Sequence, residues 1–199
     1  MKGLSSTIEF NESTHYPVAM QRTSFARMHC SLARSLEVMG DWWTPLILRD
    51  LYFGLGRFAD IAEDLGVSKN LLSSRLAALV KRGLVERQRY SQHPPRDRYV
   101  LSAAGRELVP VLMALTAWGD RWVGPSEGPP VRFEHRGCGR IVHPEIVCSH
   151  CGEQLAVDAV VPRPGPGRRA APGTRLVGRG LRKRDGAPRR RPGQGARGS

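Results

Sequence analysis

No stretch of this 199-residue chain is apolar for anything near the roughly 18 residues that a membrane-spanning helix requires, so no membrane partner is predicted. The opening, Met1 to Pro17, lacks the apolar segment of a secretory leader, which makes the cytoplasm the default compartment. Cysteine is scarce: of four residues, three fall within residues 138–151, too few and too clustered for a disulfide framework. Excess charge is missing from most of the chain as well. The net charge is +13, but residues 162–199 hold 12 Lys and Arg against one acid. That leaves 19 basic and 17 acidic groups in residues 1–161. Bulk charge therefore says little about the folded part, and any argument for a nucleic-acid partner must come from placement.

What is present is helical spacing. Residues 1–28 show no sustained period and read as a flexible lead. Leu32, Leu36 and Met39 then recur at four and three, an amphipathic helix stopped by Gly40. Asp41 is a candidate N-cap for a second helix, with Pro45 in its first turn, where a missing N–H costs nothing. Leu46, Ile47 and Leu51 continue the apolar face, and Gly54 and Gly56 punctuate. Residues 57–83 read as two helices joined by a tight turn at Leu65–Gly66–Val67. Ala62, Gly66, Val67, Ser68 and Leu72 have helix-turn-helix spacing: a small residue for close crossing, Gly for positive φ, and Ser as a cap. Two β-like runs, "LVERQRY" and "DRYVL", flank "SQHPPR" as a hairpin. Ser102 opens a last helix carrying Leu108, Leu112, Leu115, Trp118 and Trp122, which Pro110 should kink. The predicted fold is mainly α with a small β-hairpin wing, a winged helix-turn-helix over residues 29–123.

Projected at about 100° per residue, Leu72, Leu76 and Leu79 centre one face of the helix from Ser68 to Arg82. Asn70, Ser73, Ser74, Ala77 and Lys81 cluster opposite, with Lys69 at the N-terminal shoulder. Surface helices usually carry long charged residues, which are good helix formers. Short Asn and Ser side chains suit a helix whose N-terminal half enters the major groove, because they reach base edges without holding the backbone away. Lys69 and the cap Ser68 can meet phosphate at the positive helix end. A merely solvated polar face is the alternative. Arg75 projects beside the leucines and is expected to clamp phosphate or brace the fold. The wing carries Arg87, Arg89, His93, Arg96 and Arg98, with two prolines at its tip, and is expected to grip the DNA backbone.

The run from Cys30 to Gly119 resembles the HxlR-type bacterial regulators of the MarR-like superfamily. The pieces that carry the resemblance are "GDWWTPLILRDL", "RFADI", "LSSRLAALVKRGLVER", "PPRDRYVLSAAGREL" and "LTAWG". It implies a homodimeric transcription factor, most often a repressor, that binds promoter repeats in double-stranded DNA and dimerises through its first and last helices. Trp118 and Trp122 fit such an interface, or burial within one subunit. Cys30 matches a cysteine that some members use to sense oxidants or electrophiles. It lies ahead of a helix beside His29, a setting in which thiols can become reactive. A small-molecule or oxidant effector is therefore expected, and no catalytic residues.

Beyond that run lies "FEHRGCGRIVHPEIVCSHCGEQL". His135-x2-Cys138, nine residues, then Cys148-x2-Cys151 gives two short knuckles, each ending in a Gly that relieves crowding as backbone amides turn toward sulfur. Four soft or borderline ligands at this spacing fit tetrahedral Zn²⁺ in a small ribbon-like module over residues 131–157. A full ligand set leaves no open position, so the metal would be structural. Thiol redox chemistry is the alternative, and His143 or His150 could replace His135. Residues 162–199, rich in Pro, Gly and Arg, have almost nothing to bury and should be a disordered basic tail. A competing function is a protein-interaction scaffold that dimerises through the winged helix and binds a partner through the ribbon.

Overall fold

The computed structural model describes residues 24–176, so most of the expected flexible lead and the tail after residue 176 lie outside the described residues. These divide into two compact units, residues 38–146 and residues 24–37 with 147–176. In chain order the elements are α1 (Ser31–Met39), α2 (Trp43–Phe53), α3 (Phe58–Leu65), α4 (Lys69–Lys81), β1 (Val85–Gln92), β2 (Pro95–Leu101), α5 (Ala103–Trp122), β3 (Phe133–His135) and β4 (Arg140–Val142).

The first unit starts where the sequence marks a stop and a start. Asp41 accepts the backbone N–H groups of Trp43 and Thr44 at 2.9 and 3.0 Å, which opens α2 as expected. The turn from α3 to α4 passes through Gly66 at a φ of 61°, a conformation in which a Cβ would be strained. Ser68 then caps α4, its Oγ accepting the Leu71 N–H at 3.3 Å. The core gathers one stripe from each helix: Ile47, Leu48 and Leu51 of α2, Ile61 of α3, Leu72, Leu76 and Leu79 of α4, and Val109 of α5. Leu84, Val85 and Leu101 complete it from the base of the hairpin. Each buried Leu or Ile contributes roughly 1.5–3 kcal/mol relative to exposure. The core therefore dictates which way each helix is turned.

β1 and β2 form an antiparallel hairpin whose strands reach further than the sequence indicated. Expected to end at Tyr90 and restart at Asp97, they run to Gln92 and from Pro95, leaving His93 and Pro94 as the loop. Pro95 is tolerated because it is the first residue of its strand. The register shifts between Arg89 and Ser91, so an extra residue bends the ribbon there. Its root is held by backbone. The Tyr99 N–H donates to the Gly56 carbonyl at 2.7 Å, and a Cβ on Gly56 would stand 2.8 Å from the Tyr99 oxygen. Ser102 serves both neighbours: its hydroxyl donates to the Gly83 carbonyl at 2.6 Å and accepts the Gly105 N–H at 3.1 Å, capping α5.

One buried pairing had no sequence signal. Asp50 is fully buried, and its Oδ1 accepts both Nε and Nη2 of Arg49 at 2.9 and 2.6 Å. Arg49 also reaches Asp64 at 2.7 Å, tying α2 to α3. Burial pushes the Asp50 carboxyl above its ordinary range, outweighing the pull of Arg49.

α5 runs unbroken through Pro110. Leu108 and Leu112 pack on the core, whereas Val111, Leu115 and Trp118 are 56, 54 and 50% exposed. An apolar cleft of about 370 Å³ lies between α2, α5 and residues 125–133, with Leu46, Phe53, Leu112, Met113 and Phe133 on its walls. The paired segment beyond α5 is smaller than the ribbon expected from "RIVHPEIV". β3 and β4 have three residues each, and Pro144 follows closely where a longer strand would need an N–H.

In the second unit, the carboxylate of Glu37 on α1 accepts the Phe25 N–H at 2.7 Å and the Ser24 hydroxyl at 3.3 Å. Ala33 is buried, while Leu32, expected on an apolar face, is 69% exposed. Val147 and Gln154 form an isolated antiparallel bridge, and residues 162–176 are exposed turns for most of their length. Among the described residues, no helix is long and apolar enough to cross a membrane.

The position of Leu76, fully buried at the centre of the α4 stripe, gives a first prediction. Leu76→Ala should destabilise the fold by about 2–5 kcal/mol, measured as a lower denaturant midpoint with an unchanged slope.

Candidate nucleic-acid interface

The three leucines that α4 sends into the core fix the rotation of the helix, and the opposite side is left outward. Lys69, Asn70, Ser73, Ser74, Ala77 and Lys81 are all exposed. This is the outward face expected from the spacing, and it is not sheltered within the monomer. Three short polar side chains therefore lie on the first turns of a helix whose N-terminal N–H groups also point outward, a surface suited to base edges and phosphate together. Ser68 sits at the same end with its Oγ already accepting the Leu71 N–H, which leaves its hydroxyl proton to donate.

Arg75 stands against the start of α2. Its Nε lies 3.0 Å from Asp41 Oδ2, so one carboxylate caps α2 through one oxygen and pairs with α4 through the other. Arg75 thus forms a charge contact between α4 and the start of α2, an ion pair in which its buried Nε makes no aligned hydrogen bond. Arg82, at the far end of α4, donates to the Val38 carbonyl at 2.7 Å. The helix is thus held at its middle and at its C-terminal end.

The wing separates its charges by face. Alternation along the strands puts Arg87, Arg89 and Asp97 on one side and Arg96 and Arg98 on the other. On the first side Asp97 pairs with Arg87 at 2.5 Å and with Arg89 at 2.7 Å. The hydrogen bond from Arg89, aided by the charge of Arg87, holds the Asp97 carboxyl below its ordinary range. Two of the five basic wing groups named from sequence therefore share one carboxylate, which leaves that cluster with a single net positive charge. Arg96, Arg98 and His93 are exposed, and among the described residues none of them has an ion-pair partner. Arg57 adds a cation beside the wing, its guanidinium 5.6 Å from the centre of the Tyr90 ring. Asp97 was missed in the sequence reading. Its signal, an acid cross-strand from Arg89, depends on the register shift at Tyr90, which no pattern in the sequence announces.

The remaining candidates belong to other segments of the chain. Cys30 is half-buried just before α1, and the neighbouring His29 has its Nε2 2.6 Å from the Gly167 carbonyl. His135 and Cys138 come together, with Nδ1 3.4 Å from Sγ. Cys148 accepts hydrogen bonds from the backbone of Cys151 and then of His150, which lower its thiol below the ordinary range. Among the described residues, no group of three or more His, Cys, Asp or Glu side chains is assembled to hold a metal ion.

Comparison with known proteins agrees with this architecture. The profile of the HxlR-like helix-turn-helix family matches residues 38–127, which run from the end of α1 past α5. Rv3095 of Mycobacterium tuberculosis, an uncharacterised HTH-type transcriptional regulator, is 44% identical over 140 residues, 70% of this chain and 89% of that protein. The HTH-type regulator sll1512 of Synechocystis is 35% identical over 95 residues, covering 47% of this chain and 70% of its own length. Among solved structures, PA1607, a candidate transcription factor, superposes with a TM-score of 0.64 at 33% identity, covering 72% of this chain and 99% of that one. With the helix-turn-helix, the wing and the outward face of α4 in place, the chain belongs to the HxlR-like helix-turn-helix family, a family of transcriptional regulators and not of enzymes.

Proposed function

We propose that this protein is a sequence-specific regulator of transcription that binds promoter DNA as a homodimer and represses by occupying it. The observation that carries the reading is the exposure of Asn70, Ser73 and Ser74 on a helix whose opposite side is buried. In this reading α4 enters the major groove, Asn70, Ser73 and Ser74 address base edges, and Ser68 and Lys69 meet phosphate at the helix start. Arg96 and His93 on the wing grip the backbone, and Arg75 holds α4 in place through Asp41.

The exposed stripe of Val111, Leu115 and Trp118 supports dimerisation. It has helical spacing of four and three, and each of its three side chains is at least half exposed. A second copy is the occupant that suits a DNA-binding fold: a two-fold pair sets two α4 helices about 34–36 Å apart, one turn of the duplex, and so reads a repeat.

Four variants test the reading. Asn70→Ala should cost about 1–3 kcal/mol at one or two base pairs per half-site and relax sequence preference there, as measured by binding to a library of operator variants. Equal weakening on every sequence would remove Asn70 from base reading. The two wing variants should move in opposite directions in a salt titration. Arg96→Ala should weaken binding to any duplex and make the salt slope shallower by about 1. Asp97→Asn, which frees Arg87 and Arg89, should tighten binding to any duplex and steepen the slope by about 1–2. The sign is independent of pH near neutrality. The Asp97 carboxyl is held low, so its clamp is complete above the ordinary carboxylate range and opens only as pH falls through the depressed value. Finally, Trp118→Glu should convert a dimer to a monomer in sedimentation and abolish binding to a two-half-site operator while leaving the helical circular dichroism intact.

A further inference from the structure

The segment after α5 leaves much of its apolar surface uncovered, although Phe133 and Val142 are half-buried. Ile141 and Ile146 are 53 and 64% exposed, and the only regular pairing from Phe133 to Val142 is two strands of three residues. A lone hairpin of that size is not stable by itself in water. Two of its loops nevertheless share one local form. In the first, the N–H groups of Cys138 and Gly139 both donate to the His135 carbonyl, at 3.1 and 2.8 Å. In the second, the Gly152 N–H donates to the Cys148 carbonyl at 2.9 Å, and the His150 N–H points at Cys148 Sγ from 3.5 Å. Both loops close on a glycine in the left-handed region, Gly139 at a φ of 65° and Gly152 at 75°. In the first loop a further glycine makes room for the ring, since a Cβ on Gly137 would stand 2.9 Å from His135 Cε1.

We propose that His135, Cys138, Cys148 and Cys151 bind one Zn²⁺ ion, which serves as the stabilising core of this segment. Each loop supplies one pair of soft or borderline donors, and the ion unites the pairs into a tetrahedral set. The backbone N–H aimed at sulfur is the outer contact that a metal-bound thiolate requires. None of the cysteines is in a disulfide. Binding releases the three thiol protons to solvent, and the gain from coordination replaces the burial that these residues lack. All four positions are filled by protein, so the metal has a structural role. His150 engages the site through its backbone, and neither it nor His143 has the three-residue offset from a cysteine that places His135 beside Cys138.

The test uses the full-length, tag-free chain purified in reducing buffer without chelator, with metal content read by elemental mass spectrometry. One zinc per chain is expected, together with three thiols that react with a thiol reagent only after a chelator is added. Cys138→Ser and Cys148→Ser should each bring zinc to background, whereas Cys30→Ser, His143→Ala and His150→Ala should retain it. In case the serine variants fail to fold, Co²⁺ replacing zinc in the unaltered chain should show tetrahedral d–d bands with sulfur-to-metal charge transfer. A metal-free chain, zinc retained by Cys148→Ser, zinc lost from His143→Ala or His150→Ala, or thiols recovered only by a reductant would each overturn the assignment. The proposal does not rest on DNA binding, and operator affinity can be measured separately on the same preparations.

Discussion

The seating of Leu72, Leu76 and Leu79 of α4 against Ile47, Leu48 and Ile61 is the contact on which the rest of the structure depends. Three leucines buried at one side of a thirteen-residue helix leave it one rotational setting. A turn by a single position would expose leucine and bury Ser73 or Asn70, at a cost of several kcal/mol in apolar exposure and stranded polar groups. The core thereby acts as the aiming device for a surface it does not touch. Arg75 and Asp41 reinforce the setting at the edge of the core, with the same carboxylate that starts α2 holding α4 in place.

The wing shows a different kind of control. Its basic residues are spread along both strands, yet Asp97 pairs with the two on one face and leaves Arg96 and Arg98 on the other without an ion-pair partner among the described residues. What differs between the faces is therefore availability, since Arg87 and Arg89 are engaged by Asp97. An ion pair between exposed groups adds little to stability, so the consequence of Asp97 lies in where the field points. The buried Arg49–Asp50 pair is a contrast. There, burial works against the carboxylate, and the link to Asp64 fixes how α2 meets α3.

Much of this was legible in the residues. The helix boundaries at Gly40, Asp41, Gly66, Ser68 and Ser102 follow from caps and left-handed turns, which are local and leave local marks. The outward polar face of α4 followed from a period of 3.6. The paired extent of the wing did not, because a proline in the pattern reads as an interruption, and only the partner strand reveals Pro95 at a permitted position. Asp97 and Asp50 were overlooked for a related reason. Each looks like an ordinary surface acid until the register or the burial is known. The exposure of Leu32 on α1 also ran against its periodicity, since an amphipathic stripe states that a face needs cover without stating which surface supplies it.

By itself the sequence determined the order of the helices and wing strands, the caps of α2, α4 and α5, and the two faces of α4. All of these are set by residues within a few positions of one another, where backbone sterics and helical period leave few choices. Only the tertiary structure decided that Arg75 pairs with Asp41, that Asp97 engages both Arg87 and Arg89, and that Val111, Leu115 and Trp118 remain uncovered. Those outcomes depend on which distant groups meet, and charge pairing and burial are properties of the meeting, not of either residue alone.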